Sequence, residues 1–224
     1  MKIQKKIINV LYLLIINFRN YGFSNFSKII FYEIKNILRF GFSDLFYDQS
    51  NTKNSYKFTK TNIESTKITY DATYLPTPYF FLEIIKAKLD TLNTKKFIFL
   101  DFGCGAGRVL NFFSKEYNEL IGIDKNSKYR KFFTKKNQKF FKRDLNFVQN
   151  LNKIKFSKKK ILLYFFNPFD LSKIIKIINF FTINKYEIIV ITVNCAPIKS
   201  KKINKIYNKK FLNKNIGISI YKNY

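Results

Sequence analysis

The stretch from Phe97 to Arg108, FIFLDFGCGAGR, constrains the fold most: an apolar strand pattern runs straight into three closely set glycines and then into a helical pattern. Glycine admits positive φ and lets a ligand approach the backbone without meeting a Cβ, and a following helix aims unpaired N–H groups at whatever binds there. A strand, turn and helix of this kind is the opening unit of a parallel α/β sheet. In a dinucleotide turn the third glycine falls three residues after the second. Here Gly103, Gly105 and Gly107 are evenly spaced by two.

Asp101 stands just ahead of the first glycine, where a negative charge repels a pyrophosphate but suits a ligand carrying an ammonium and a sulfonium. That combination favours S-adenosylmethionine over NAD. After a helical stretch from about Ala106 to Tyr117, the apolar run Leu120–Ile123 ends in Asp124, seventeen residues beyond Gly107. The offset suits a second strand whose terminal carboxylate accepts from ribose hydroxyls. A helix is then predicted from Ser127 to about Gln138, followed by a short strand, Phe140 to Arg143, ending at Asp144, the adenine candidate. The uninterrupted apolar run Ile161–Phe166 reads as a strand buried on both faces, and it stops at Asn167-Pro168-Phe169. The expected geometry is one rim of a parallel sheet on which Asp101, Asp124 and Asp144 converge around a bend free of side chains.

In this order, the glycine turn, the two further acidic strand ends and the motif after the fourth strand resemble the class I SAM-dependent methyltransferases, over roughly Tyr70 to Val193. More narrowly, Tyr74-Leu75-Pro76-Thr77-Pro78, the turn Asp101 to Arg108 and Asn167-Pro168-Phe169 are similar to a poorly characterised bacterial group of these enzymes. That group often has Lys where this chain has Ala106 and Glu where it has Asp124. The resemblance implies a Rossmann-like α/β fold: a seven-stranded, mostly parallel sheet flanked by helices. It also implies S-adenosyl-L-methionine held by Asp101, Gly103, Cys104, Gly105, Gly107, Asp124, Lys125 and Asp144.

Methyl transfer from a sulfonium begins with an activated electrophile, so the protein mainly orients the acceptor and excludes water. Many methyltransferases acting on planar amino groups place Asn or Asp, two prolines and an aromatic residue where this chain has Asn167, Pro168 and Phe169. By that likeness the Asn carbonyl and a prolyl carbonyl accept from the amine and the ring packs on its plane; this chain has one proline, so an oxygen acceptor stays open. As a bare pattern, Asn-Pro also starts ordinary turns. Thr77 is expected to cap a helix from Tyr79 to about Asp90, with Pro78 at its first position and Phe80, Ile84 and Leu89 facing the sheet. Tyr74, just ahead of it, is the expected lining residue at the methyl end, so the catalytic set is Asn167, Pro168, Phe169 and Tyr74.

Three pieces follow from the pattern: a helical N-terminal extension over 1–47, a polar linker or lid over 48–70, and the methyltransferase domain over 71–224. Lys2, Lys5 and Lys6 precede the apolar run Ile7–Ile16, which lacks a small-residue cleavage site and is shorter than the about 20 residues that span a bilayer. It reads as a helix packed on the domain or lying on a membrane. A second helix, Ser27 to Arg39, spreads Ile29, Ile30, Tyr32, Ile34 and Ile37 over more than one face, which predicts burial against the first. Beyond Phe166 the pattern gives a helix over Leu171–Phe181, a strand over Glu187–Val193, a short basic helix over Ser200–Asn208, and a closing hairpin of Lys210–Leu212 and Ile216–Tyr221.

With 42 Lys and Arg against 14 Asp and Glu, the formal net charge is +28. Such a surface attracts anions and anionic surfaces, RNA among them, although Lys, Asn, Ile, Phe and Tyr are abundant together as AT-rich codons alone would make them. Histidine is absent, which removes the usual zinc clusters and histidine-based triads; no metal is expected. Cys104 and Cys195 are too isolated to suggest a bridge. The reading is thus a cytoplasmic methyltransferase, with peripheral membrane contact through residues 1–40 as a second location, and an unidentified acceptor as partner. The alternative is a catalytically idle protein of the same fold that holds RNA or a partner on its basic surface.

Overall fold

A computed structural model describes residues 18, 21–36, 38–39, 77–142, 148–166, 171–212 and 217–224. Seven strands form one sheet: β1 (Ile98–Phe102), β2 (Leu120–Asp124), β3 (Gln138–Lys142), β4 (Lys160–Phe166), β5 (Glu187–Val193), β6 (Asn204–Lys210) and β7 (Gly217–Lys222). Their order is β3-β2-β1-β4-β5-β7-β6. Strands β1 to β5 are mutually parallel, while β7 runs antiparallel to both β5 and β6. The central strands are apolar throughout because both faces are covered: all five residues of β1 are buried, as are five of the seven in β4.

On one face lie a helix over residues 21–36, α1, which is also helical at 38–39, then α2 (Tyr79–Asp90) and the short α3 (Arg108–Phe112). Their core joins Tyr21, Ile29, Phe81 and Leu110 to Phe99, Leu162 and Tyr164 of the sheet. The other face is covered by α4 (Leu171–Ile183) and the 3-10 turn Val148–Lys153. There Ile174, Ile178 and Phe181 pack on Leu100, Leu163 and Val190. Strand order reverses between β1 and its two neighbours β2 and β4, so the crevice at the carboxyl ends of these strands is where an open α/β sheet binds ligands.

Several expected elements come out differently. The helix predicted over Ala106–Tyr117 is only Arg108–Phe112 in α-helical form. In place of a helix over Ser127–Gln138 there is a 3-10 segment, Ser127–Phe132, and Gln138 already belongs to β3. Phe133 leaves that segment to pack on Phe140, with ring centroids 5.1 Å apart. Asn137 Nδ2 donates to the carbonyls of Ser114 and Tyr117 at 2.8 Å each, bonds that hold the chain out of helical register. In place of the basic helix expected over Ser200–Asn208 there is a turn and then strand β6 from Asn204, paired with β7 except for an irregularity between Lys205 and Tyr207; cross-strand pairing outweighs the local helical tendency of its lysines. The closing hairpin is therefore present, with its first strand earlier in the chain.

Residue 77 holds another correction. Helix α2 starts as expected, but Pro78 occupies the N-cap and no side chain of the local sequence caps it. Thr77 Oγ1 instead pairs with the Tyr164 hydroxyl at 2.9 Å. The first N–H of α2, that of Tyr79, donates to Glu33 Oε1 of α1 at 2.8 Å. A carboxylate supplied from another helix thus meets the positive end of α2. Helix α1 is helical well before the expected Ser27, from Tyr21 and also at Phe18, and Ile34 is exposed. Residues 1–17 and the linker at 48–70 lie outside the described residues.

Candidate functional site

Strand β1 delivers Asp101 one residue before its end, level with Gly122 of β2 and Tyr164 of β4. The backbone then turns through Gly103, Gly105 and Gly107 at φ of 77°, 50° and 81°, values open to glycine at little cost. The turn is tied to β2 by the N–H of Gly103, which donates to the Ile123 carbonyl at 2.8 Å. Asp124, the last residue of β2, closes it from the other side. Its Oδ2 accepts from the Gly105 N–H at 3.0 Å and its Oδ1 from the Asn126 N–H at 2.8 Å. The two carboxylates therefore sit on one rim, on neighbouring strands, beside the bend.

Their environments differ. Asp101 is buried, and its Oδ2 has no hydrogen-bond partner among the described residues. Burial first, and then the charge of Asp124, push its carboxyl well above the ordinary 3.8. Asp124 is half-buried; burial raises its pKa too, opposed by the N–H groups of Asn126 and Gly105 and by the charge of Lys125. Lys125 itself is exposed. Cys104 contributes only its backbone to the rim. Its side chain is buried, and burial together with the charges of Asp101 and Asp124 pushes the thiol well above its ordinary value, which disfavours the thiolate.

Beneath the bend the packing is tight. A Cβ on Gly122 would lie 2.5 Å from the Phe133 ring and 2.7 Å from Cys104 Sγ, and one on Gly107 would lie 3.2 Å from the same ring. The room left by the third glycine is thus taken by Phe133, a residue of the chain itself. It is not open space for a ligand, as the sequence had suggested.

Sequence reasoning gave no role to Arg108, the last residue of the motif, or to Glu33. Arg108 is buried, and its Nη1 meets Glu33 Oε2 at 3.0 Å, Glu33 Oε1 at 3.2 Å and the Thr77 carbonyl at 3.3 Å. Its guanidinium carbon stands 4.6 Å from the centre of the Tyr79 ring, within cation–π range. The arginine thereby clamps the glycine turn to α1 and to the start of α2. A signal existed: Glu33 is the only acid between residues 18 and 39, in a segment whose other charges are all basic.

Asp144 follows β3, whose last residue, Lys142, is level with Asp124; Asn167, Pro168 and Phe169 follow directly on Phe166, the end of β4. These four residues and Tyr74 lie outside the described residues. Among the described residues no cluster of acids and cysteines is arranged to hold a metal ion.

No family model matches the chain, and no curated protein matches it. Among solved structures, a protein of Escherichia coli provisionally classed as a methyltransferase is 12% identical, over 67% of this chain and 89% of its own, with a TM-score of 0.49. A SAM-dependent methyltransferase of Anabaena variabilis is 13% identical over 64% and 84%, at 0.46. The magnesium protoporphyrin IX methyltransferase of Synechocystis, solved with SAM, is 11% identical over 63% and 76%, at 0.44. What the strand order, the parallel core and the antiparallel β7 give this chain is the Rossmann-like fold of the class I methyltransferases.

Proposed function

We propose that the chain is a SAM-dependent methyltransferase that binds its methyl donor at the rim of β1 and β2. One observation carries this reading: a buried carboxylate oxygen, Asp101 Oδ2, has no partner among the described residues and stands beside a three-glycine turn. Leaving a buried acceptor unmatched costs about 1–3 kcal/mol, and such groups mark places where a ligand completes the structure. The ammonium of S-adenosylmethionine is the complement that Asp101 lacks. Asp124 is held in place by the Gly105 and Asn126 N–H groups and retains lone pairs for ribose hydroxyls, while the turn lets a ligand approach the backbone without meeting side chains at Gly103 and Gly105.

S-adenosylmethionine supplies an already activated methyl group, so no covalent nucleophile is required of the protein. The chain's own work is to bind, orient and exclude water. The acceptor is proposed to be a nitrogen of a protein side chain or small molecule, seated at Asn167, Pro168 and Phe169 with Tyr74 lining the pocket. That part rests on sequence, because Asn167 directly follows the end of β4. Asp144 is proposed for the adenine.

Titration calorimetry with S-adenosylhomocysteine tests the donor site. Micromolar binding that Gly105→Arg abolishes, with the far-ultraviolet spectrum preserved, is expected. No binding by the folded wild-type chain would favour the idle protein that holds RNA on its +28 surface. Profiling peptides and metabolites for a gain of one methyl group identifies the acceptor.

A further inference from the structure

Helix α1 has two faces of opposite character. Tyr21, Ile29 and Asn36 are buried on the domain, Tyr32 stacks on Phe80 with centroids 5.8 Å apart, and Glu33 reaches Arg108. On the other side Phe23 is 75% exposed, Phe31 62%, Ile34 56% and Leu38 82%. At about 100° per residue these four positions fall within an arc of about 80°, so they share one side of the helix, with the exposed Ser27 between Phe23 and Phe31. The patch extends to Phe18, also helical and 48% exposed, which meets Phe23 and Phe26 edge-on, and to Leu212, 69% exposed, which lies near Gly22. Isolated exposed apolar residues need no explanation, but Phe31, Ile34 and Leu38 clustered on one helix side, with Phe23, Phe18 and Leu212 beyond them, mark a contact surface.

Three kinds of partner can be weighed. Lys28 and Lys35 are exposed along one flank of the stripe, and the only acid between residues 18 and 39, Glu33, is engaged by Arg108 on the opposite side. A second copy of the chain would bring two charges of +28 together, and like charge opposes association. A nucleic acid would satisfy the cations but leave Phe31, Ile34 and Leu38 in water. An anionic bilayer surface satisfies both: acyl chains and headgroups take the aromatic and aliphatic stripe, and the flanking cations meet lipid phosphates. No helix among the described residues is long and apolar enough to cross a membrane, so the fitting mode is a helix lying in the interface.

We propose that the outer face of α1, through Phe23, Phe31, Ile34 and Leu38 with Lys28 and Lys35, docks the protein onto an anionic lipid surface. The opposite face stays bound to the domain through Glu33 and Tyr21, so docking needs no unfolding and leaves the donor rim intact.

The test is flotation of the full chain with vesicles of equal parts phosphatidylglycerol and phosphatidylcholine, and with phosphatidylcholine alone. Flotation with the anionic vesicles only is expected, reduced by raised salt. The triple variant Phe31→Ser, Ile34→Ser, Leu38→Ser should reduce the bound fraction at least about tenfold while keeping the melting curve and the S-adenosylhomocysteine titration of the wild type. Lys28→Glu with Lys35→Glu should also weaken binding. The proposal is overturned if the wild type stays unbound, if the triple variant floats as well as the wild type, or if sedimentation velocity shows a dimer that the triple variant disperses. None of these outcomes bears on the donor site, which is read separately by the calorimetric titration.

Discussion

Asp101 sets a direction for proton linkage. Its folded pKa lies above the ordinary 3.8 because burial disfavours the charged form. Below pH 3.8 the acid is neutral in both states and the fold loses nothing; as pH rises towards the folded value, the unfolded chain ionises first and stability declines. Urea unfolding of the ligand-free chain should therefore show stability falling from about pH 4 upward, with Asp124 acting in the same sense, and Asp101→Asn should flatten that slope. An ammonium ligand needs the carboxylate, so S-adenosylhomocysteine affinity should rise over the same range. Asp101→Asn should weaken it about tenfold or more, since hydrogen bonds to charged groups are worth about 1.5–3 kcal/mol; unchanged affinity would remove Asp101 from the site. Gly122→Ala tests the packing below. The Cβ would stand 2.5 Å from Phe133 and 2.7 Å from Cys104 Sγ, a clash expected to cost about 1–3 kcal/mol. Calorimetric melting should show the loss, partly restored by Phe133→Leu. Asp101 and Asp124 were legible in the sequence because an apolar run ending in an acid is a local pattern. Arg108 was not, because the partner that explains it is 75 residues away.

Among elements, the pair of Glu33 in α1 and Arg108 at the start of α3 is the contact that most decides how the site is held. Removing one member of a buried ion pair costs about 3–5 kcal/mol, whereas replacing both with apolar groups of similar size is far better tolerated. Glu33→Ala, which also uncaps α2, should lower stability in urea by about 3 kcal/mol, and Glu33→Leu with Arg108→Met should lose less than Glu33→Ala alone. Strictly additive losses would show that the pair is not coupled. The elements readable from sequence were those whose burial writes a continuous or periodic apolar signal: β1, β2, β4, β5, α2 and α4. Residues 127–138 and 200–208 carried no such signal. Their lysines and asparagines permit helix or strand, and the pairing of β6 with β7, together with the Phe133 contact on Phe140, makes the choice.

At the level of the whole molecule, 42 basic side chains face 14 acidic ones, so self-repulsion is present wherever salt does not screen it. Raising sodium chloride from about 20 mM to about 500 mM shortens the screening length from roughly 20 Å to roughly 4 Å. The melting temperature should rise across that range; a fall would mean that surface pairs such as Lys139–Glu119 and Lys160–Glu187 outweigh the repulsion. The reach of Glu33 has a further consequence for how the chain acquires its shape. Its two anchoring points come 46 and 75 residues later, and closing loops of that length is slow relative to local helix formation. Until both partners have been made and brought into place, the donor turn has no clamp and the aromatic face of α1 nothing to rest on. Assembly of the pocket should thus be the late event in folding, so loss of the Glu33 carboxylate should speed unfolding more than it slows folding.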